Sequence, residues 1–493
     1  MGFLAAYPEL LLSIFFFFFF LLLLHGRRTN SGSLTNWPII GMLPALASNL
    51  HQAHDFITDV LRCCGCTFLF LGPWLSGMKI LLTCDPANVN HVFNVNFQNY
   101  PKGHDFSESF DILGDGIFNA DGESWRLQRK KAQALMSLPL FRSFAARCSR
   151  EKAANSLLPL LRRISEEGKT VDLQDVFLRL TFDITFNLVF GEDPQSLSPD
   201  FPTVPFARAM DDAMNAIFHR HVMPASWWKL QRRLNLGRER KLLQAWRVID
   251  DFVEQSIAKR KQASGAGAGA GEDLLTAYLK DFGDEKFLRD TAVNLMLAGR
   301  DTTGSALAWF FYLLCKNPDA EAKVLEELRR AEGPTGGEVS GERLPYLHAA
   351  LCETMRLYPP VPFEEKAVVA AQTLPSGERV KPGTKLIFCT YTMGRMEGVW
   401  GKDCLEFRPE RWLTEQGMVR HEPAYKFMAF NCGPRTCLGK EVAFTQMKAA
   451  AAAVLKELRM EVVEGHVVEP KLSIILQMRN GLMVRVKRRN ENQ

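Results

Sequence analysis

The residue best suited to metal or redox chemistry is Cys437, in the segment 430–439 that reads F-N-C-G-P-R-T-C-L-G. The glycines and the proline of this segment predict a tight loop, from which one thiolate can project. A lone cysteine beside glycines is also a common core residue. The loop by itself therefore leaves a functional and a structural interpretation open.

A second group of residues interrupts the long apolar stretch from Thr291 to Leu314. Residues 298–303 read A-G-R-D-T-T, and a glycine and two threonines weaken a helix at its centre. The threonine oxygens can bond backbone carbonyls there. A packing glycine beside ordinary cap residues is one explanation of the segment, and a functional groove in the helix is the other.

Two pairs of residues have the spacing of about one helical turn. Glu353 and Arg356 share one helix face, and Trp125 and Arg129 share another. In isolation the first pair would be a surface salt bridge worth less than about 1 kcal/mol. In isolation, the second pair would be equally typical of an amphipathic surface helix.

Taken together, these motifs resemble those of the cytochrome P-450 family of haem-thiolate enzymes. The loop at 430–439 matches the family pattern F-x-x-G-x-R-x-C-x-G at every defined position. The motifs from Trp125 to Gly439 also follow the family's order. The resemblance therefore extends over nearly the whole chain.

The resemblance implies that Cys437 is the axial ligand of a b-type haem (heme b) and that Cys432 is not a ligand. A thiolate ligand donates electron density that favours O–O cleavage. Glycines let backbone amides approach the sulfur, and Phe430 can shield it from water. Arg435 would then pair with a haem propionate.

The same resemblance gives roles to residues outside the loop. Thr302 and Asp301 would guide protons to bound dioxygen, as general acid catalysis requires. Trp125 and Arg129 match the W-x-x-x-R pair that bonds the haem propionates. Lys366 falls where the family often has another basic propionate partner.

The Glu353–Arg356 pair resembles the E-x-x-R pair of the family. The segment P-E-R-W at 409–412 resembles the later segment whose arginine, here Arg411, completes a buried triad. We expect these three residues to be structural, holding the core behind the cysteine loop without taking part in the chemistry.

The N-terminal stretch from Phe3 to Leu24 is apolar apart mainly from Pro8 and Glu9. At 1.5 Å per residue it reaches about 33 Å, enough to cross a bilayer core of about 30 Å. Arg27 and Arg28 follow this stretch, which predicts a retained anchor with a lumenal N-terminus rather than a cleaved signal peptide. An interfacial or uncut signal helix is the alternative.

We therefore expect three parts: residues 1–28 as membrane anchor, 29–48 as a stiff, non-helical, proline-rich hinge, and 49–493 as the catalytic domain. The fold class is mainly α, with a single P-450-type helical body, small β-sheets and one N-terminal transmembrane helix. The location implied is the endoplasmic reticulum membrane, single-pass, with the catalytic domain in the cytosol.

Short apolar runs bounded by turn residues predict the strands. Thr67–Leu71 and Lys79–Thr83 should form a hairpin, and residues 385–388 a further strand. Residues 474–486 are expected to form a second hairpin that turns at Asn480-Gly481. The alternating Gly and Ala residues of 264–271 indicate a surface loop between helices.

Composition excludes several classes of protein. The chain is 47% hydrophobic and 23% charged, which is typical of a globular protein. Its net charge of +5 is too small for a chain of this length to attract nucleic acid by its overall electrostatic field. Its 11 cysteines are odd in number and irregularly spaced, which favours a reducing compartment. Cys63, Cys64 and Cys66 follow two histidines, as in some metal sites, but the helical spacing of the apolar residues between them favours a helix.

The implied reaction is insertion of one oxygen atom of dioxygen into a C–H bond, with electrons supplied from NADPH by a separate flavoprotein reductase. No dinucleotide fingerprint is present in this chain to bind NADPH directly. A basic surface could dock an acidic electron donor, and its candidate residues are Arg126, Lys130, Lys131 and Lys440.

Segments 111–122 and 358–363 and the dipeptide Phe430-Asn431 look like the plant branch that hydroxylates long fatty acyl chains and alkanes, in cuticular lipid metabolism. Glu364-Glu365 departs from that branch, where a histidine commonly precedes the lysine. The resemblance implies an apolar pocket, and the residues expected to line it are Ile112, Leu113, Ile117, Phe118, Val361, Pro362, Phe363 and Met478.

Three other functions are compatible with parts of this pattern. A haem-thiolate isomerase or dehydratase of lipid hydroperoxides needs no reductase, but it typically lacks the Asp301-Thr302 pair. A terpenoid monooxygenase would share the catalytic motifs and differ in its pocket. A catalytically silent membrane scaffold would not need the intact Cys437 loop.

Overall fold

The computed structural model describes residues 12–13, 15–20, 34–76, 78–265, 273–281, 284–332 and 344–489. Over these ranges the chain is mainly helical with small sheets, as expected. Most of the predicted N-terminal anchor and part of the Gly/Ala loop lie outside the described residues. Among the helices that are described, none is long and apolar enough to cross a bilayer.

Eighteen helices can be followed from residue 34 onwards in the described ranges. They are α1 Leu43–Ser48, α2 Ala53–Cys63, α3 Pro86–Asn90, α4 His104–Ser109, α5 Gly122–Met136, α6 Pro139–Lys152, α7 Leu158–Glu166, α8 Leu173–Phe190, α9 Pro205–Val222, α10 Ala225–Arg233, α11 Gly237–Gly265, α12 Leu274–Asp281, α13 Glu285–Lys316, α14 Pro318–Glu332, α15 Pro345–Leu357, α16 Thr390–Met393, α17 Glu397–Trp400 and α18 Lys440–Glu457.

Nine short strands form three small sheets in the same part of the chain. The strands are β1 Thr67–Leu71, β2 Lys79–Thr83, β3 Thr170–Asp172, β4 Phe363–Lys366, β5 Gln372–Thr373, β6 Arg379–Val380, β7 Lys385–Cys389, β8 Leu458–Val462 and β9 Met483–Arg488. The sheet orders are β1-β2-β7-β4, β3-β9-β8 and β5-β6. The predicted hairpin of β1 and β2 is confirmed, with Thr67 opposite Thr83.

The central helix of the body is α13, which packs along α8 in the main hydrophobic core. Asp284 caps its N-terminus by accepting a hydrogen bond from the amide of Lys286, and the helix ends just before Asn317-Pro318. A Cβ at Gly299 would lie 2.6 Å from the side chain of Thr185 on α8. Gly299 is thus a packing glycine that lets the two helices approach closely.

Two of the expected local structures are wrong. The hinge is not free of helix, because Leu43–Ser48 forms α1 with Pro44 in its first turn, where the missing amide hydrogen costs nothing. Asn480-Gly481 is not the turn of a two-strand hairpin. The strand that follows it, β9, instead pairs with β3 and β8, and the preceding residues form only an isolated bridge from Pro470 to Met478.

Candidate active site

The Cys437 loop is held in shape by its own backbone and by a neighbouring turn. The amide of Cys437 donates to the carbonyl of Phe430 over 2.8 Å, which closes the loop. Gly433 has φ of +67°, and a Cβ there would lie 2.0 Å from the carbonyl oxygen of Phe93. Only glycine meets both requirements, so the sequence pattern reflects a real close approach.

The sulfur of Cys437 lies beside the positive end of α18, which begins at Lys440. Burial raises the pKa of the Cys437 thiol, while amide hydrogen bonds from Gly439 and Lys440 and the charge of Arg129 oppose that rise. The side chain nevertheless has accessible surface. Cys437 therefore combines an accessible side chain with neighbouring groups that stabilise a thiolate, as a metal-binding cysteine requires.

The second cysteine of the loop has a different environment. Cys432 is 1% exposed and belongs to the second core cluster, and its sulfur accepts a hydrogen bond from the side-chain amide of Asn94 at 3.3 Å. Burial raises the pKa of its thiol. Its position therefore suits a packed core thiol.

Lys366 is the most unusual charged group near the loop. It lies on β4 with its side chain fully buried, and its Nζ has no hydrogen-bond partner among the residues that the structure describes. The ring of Phe93 lies 4.8 Å from that nitrogen. Burial and the nearby charge of Lys102 together lower the pKa of Lys366 to about 7. A carboxylate placed here would restore the charged form.

Arg435 lies in the same cluster, with its guanidinium 4.7 Å from the ring of Trp125 on α5. Its Nη2 donates to the carbonyl of Ala120 at 2.6 Å and to Asp121 at 2.7 Å. Its Nε is buried and has no partner within the described ranges. The Asp121 contact was not expected from the sequence, and it fixes the guanidinium while leaving one donor free.

The charges around Lys366 do not balance within the protein. The cations are Lys102, Lys366, Arg129 and Arg435, and the carboxylates are Asp121 and Glu364. With all four cations charged, two positive charges are left over, which is the number of propionates on a b-type haem. Because an unpaired buried cation is costly, the residues present fit this group. Cys437 would hold the iron, and Lys366, Arg435, Arg129 and Trp125 would hold the carboxylates.

Glu364 and Lys102 are members of this cluster that the sequence did not reveal. Lys102 Nζ contacts Glu364 Oε1 at 2.6 Å, and the side-chain amide of Asn431 donates to the same oxygen at 3.2 Å. Burial raises the pKa of Glu364, but the charges of Lys102 and Lys366 outweigh it and hold this pKa below its ordinary value. Glu364 thus links β4 to the cysteine loop.

The predicted proton-handling residues lie on α13, with different surroundings. Thr302 is partly buried, and its hydroxyl donates to the carbonyl of Ala298 at 2.7 Å. Asp301 is 4% exposed, and one of its oxygens lies 3.4 Å from Arg300. Burial raises the pKa of Asp301 to about 6, although Arg300 opposes the rise. This carboxyl group can therefore exchange a proton near neutral pH.

The expected triad is present, with Glu353 and Arg356 fully buried and Arg411 partly buried. Glu353 accepts two hydrogen bonds of 2.7 Å from Arg356, and Arg411 lies 3.4 Å from the same carboxylate. The indole of Trp412 and the backbone amide of Arg408 also donate to it, each at 2.9 Å. A surface salt bridge is thus excluded, and the sequence pattern missed two of the donors.

Three of the residues expected to line an apolar pocket are packed in the core instead. Ile112, Leu113 and Met478 are each 2% exposed and lie within the core, so they do not line an open pocket. Ile117 and Phe118 are partly exposed.

Leu476 ties its own segment to α13 through its carbonyl and to the segment of Pro360 through its amide. The carbonyl of Leu476 accepts from Ser305 at 2.7 Å and from the indole of Trp309 at 2.8 Å. The amide of Leu476 donates to the carbonyl of Pro360 at 2.8 Å. The segments near residues 360 and 476 are therefore fixed against the middle of α13, as the walls of a common pocket would be.

A family model named Cytochrome P450 matches residues 32–486. The chain belongs to the cytochrome P450 family. Several plant proteins of this family are similar over nearly the full length. Noroxomaritidine synthase of Narcissus aff. pseudonarcissus is 46% identical, with 98% of this chain and 97% of that protein covered. Cytochrome P450 86B1 of Arabidopsis thaliana is 43% identical, with coverage of 98% and 90%.

Alkane hydroxylase MAH1 of Arabidopsis thaliana is 40% identical, with 99% of both chains covered. Membership of the family makes this cytochrome P450 an oxidoreductase that incorporates oxygen from dioxygen, and it implies a haem iron cofactor. Small-molecule substrates and a redox partner are general features of the family.

Proposed function

We propose that this cytochrome P450 hydroxylates long-chain alkanes or fatty acids at a terminal or in-chain carbon. The observation that carries the proposal is its similarity to alkane hydroxylase MAH1 at 40% identity over 99% of both chains. Cytochrome P450 86B1 is similar to a comparable degree. We further propose that a separate flavoprotein reductase supplies the electrons from NADPH.

An alkyl chain suits the residues that surround α13. Each buried CH₂ group contributes about 0.8 kcal/mol, so a chain of a dozen or more carbons can bind largely by apolar contact. The partly exposed Ile117 and Phe118 are available for such contact. Asn294 of α13 fixes their segment by accepting a hydrogen bond from the Phe118 amide at 3.2 Å. Regioselectivity would then come from the shape of a rigid pocket.

In the reaction, the haem supplies dioxygen binding and activation when it is bound. The chain's own residues exclude water from the haem-binding loop and transfer protons. Phe430 packs on Phe444 with ring centroids 5.3 Å apart, and in this position it would shield the haem-bound Cys437 from water. The carboxyl group of Asp301, with its pKa of about 6, takes up and releases protons near neutral pH. The hydroxyl group of Thr302, the next residue, passes these protons on toward the haem site.

Thr302→Ala tests this role of the hydroxyl group. We expect haem content and substrate binding to be retained, while NADPH consumption shifts from product to hydrogen peroxide. Product per NADPH should fall by about 10²-fold, the lower end of what general acid catalysis contributes. The measurement is the ratio of product, peroxide and NADPH in one incubation.

Thr302→Ser is the matched control, because it keeps the hydroxyl group and should keep most of the coupling. If Thr302→Ala couples NADPH to product as well as the unchanged protein does, the hydroxyl group has no such role.

We also propose that the N-terminal stretch anchors the protein in the endoplasmic reticulum membrane, with the catalytic domain in the cytosol. In support, the side chains of Phe15 to Phe20 are all exposed, from 47% to 65%, which a bilayer would cover. None of the described cysteines is in a disulfide, which suits the cytosolic side. Protease protection of tagged termini in microsomes tests the orientation.

The substrate proposal is tested with microsomes containing the protein, a reductase and NADPH. The panel holds alkanes, fatty acids, a compact terpenoid, a lipid hydroperoxide and the substrate of noroxomaritidine synthase. We expect binding spectra and hydroxylated products only with the long alkyl compounds. The variant Cys437→Ala is the matched control and should give no product with any of them.

Each other outcome identifies a different enzyme. Because noroxomaritidine synthases are 46% identical to this chain, their reaction is the second candidate function. Turnover of only that substrate or of the terpenoid would contradict the alkyl proposal. NADPH-independent conversion of the hydroperoxide would indicate an isomerase or dehydratase.

A further inference from the structure

Two cysteines face each other across the open end of the β1–β2 hairpin, away from the candidate active site. Cys66 directly precedes β1 and Cys84 directly follows β2, one step beyond the Thr67–Thr83 pair. The amide of Cys84 donates to the carbonyl of Cys66 over 2.9 Å. Cys66 has φ of +73° and lies outside the regular strand, but its sulfur shares a hydrogen bond with the Cys84 thiol, which places the two sulfur atoms close enough to form a disulfide.

The two thiols are chemically unequal. Cys84 is fully buried, whereas Cys66 is partly exposed. A hydrogen bond with the Cys84 thiol lowers the pKa of Cys66 to about 7, although burial opposes this, and the same hydrogen bond together with burial raises the pKa of Cys84. Cys66 is therefore the accessible thiolate, and Cys84 is a protonated thiol held next to it.

We propose that Cys66 and Cys84 form an oxidation site, at which hydrogen peroxide converts the two thiols into a disulfide. Nothing in the oxygenation reaction uses either residue, so this inference does not depend on the proposed substrate. A transient disulfide of this type is compatible with a reducing compartment, where disulfides are usually redox-sensing.

The reaction has two balanced steps. The Cys66 thiolate attacks hydrogen peroxide, and with one proton it gives a sulfenic acid and water. The Cys84 thiol then attacks that sulfur, forming the S–S bond and releasing a second water. In total, the two thiols lose two protons and two electrons, which reduce one hydrogen peroxide to two waters. A thiol reductant reverses the change.

The crosslink would act on the sheet that carries the Lys366 cluster. β2 pairs with β7, and β7 pairs with β4, so the hairpin is continuous with the strand of Lys366. Cys389, at the end of β7, is the next residue across from Cys84. Cys389 lies on the far side of Cys84 from Cys66, the thiol that is oxidised first. The expected product is therefore the Cys66–Cys84 bond alone.

The test uses the full-length holoprotein, exposed to a small excess of hydrogen peroxide and then alkylated and digested without reduction. Mass spectrometry should find one peptide pair linked through Cys66 and Cys84, with two fewer alkylatable thiols than before. Dithiothreitol should restore both thiols. In Cys84→Ser, the reaction should stop at a Cys66 sulfenic acid that dimedone traps.

Cys63→Ser is the matched control, since Cys63 is a more exposed neighbour at the end of α2. It should still form the crosslink. Recovery of Cys66 and Cys84 as free thiols after peroxide treatment, or oxidation of Cys63 in preference to Cys66, would overturn the proposal. The unchanged protein alone decides between these results, so the conclusion does not depend on how the variants fold.

Discussion

Replacing Cys437 by alanine is expected to abolish the absorption band that marks a thiolate-ligated haem in the reduced, carbon monoxide-bound protein. The Cys437 side chain has accessible surface, and two backbone amides and Arg129 stabilise the charged form of its sulfur. Cys437→His should also lose the band, because imidazole is neutral and lacks the electron donation of a thiolate. Monooxygenase turnover should be lost in both variants.

The control for this experiment lies in the same loop. Cys432→Ala should keep the band, since Cys432 is packed in the core and held by Asn94. A small loss of stability is its only expected effect, as for other truncations of small buried side chains. Loss of the band in Cys432→Ala, with retention in Cys437→Ala, would reverse the assignment of the ligand.

The sequence was sufficient to predict the parts of the site that depend on local spacing. The Cys437 loop is shaped mainly by its own residues, so the positions of its glycines were sufficient to predict a tight loop. The helix of Thr302 has a long apolar pattern that needs no knowledge of its neighbours. The same holds for the β1–β2 hairpin, where turn residues separate two apolar runs.

Contacts between distant segments were not predictable in the same way. Lys102 and Glu364 are far apart in the sequence, and no periodicity relates them. The link of Asp121 to Arg435 is equally non-local. These contacts exist because β4, α5 and the cysteine loop meet in the folded chain. A local sequence motif contains no information about such a meeting of distant segments.

The errors have local physical causes. Pro44 suggested a break in the helix, but a proline in the first turn of a helix is tolerated. Asn480-Gly481 has the residues of a tight turn, and yet the strand after it gains more partners from β3 and β8 than from its own preceding segment. Tertiary pairing therefore outweighed the local turn signal.

Arg356→Ala should have the largest effect on folding. Arg356 Nη1 donates to the carbonyls of Gly394 and Cys404, and Nη2 donates to that of Glu406 at 2.9 Å. The same guanidinium binds Glu353 through two hydrogen bonds. Removing it leaves a buried carboxylate and three carbonyls without this donor. The loss of one partner from a buried ion pair costs about 3–5 kcal/mol.

We expect the Arg356→Ala protein to unfold at much lower urea concentration and to yield little holoprotein. The comparison is Lys323→Ala, which removes one partner of the exposed Lys323–Glu410 pair and should change stability by less than about 1 kcal/mol. Any Arg356→Ala holoprotein that does fold should keep the thiolate band and near-normal turnover per haem. Equal urea midpoints for the two variants would show that the buried triad contributes no more than a surface pair. A stable but inactive Arg356→Ala holoprotein would instead place Arg356 in the chemistry, contrary to its position behind the cysteine loop.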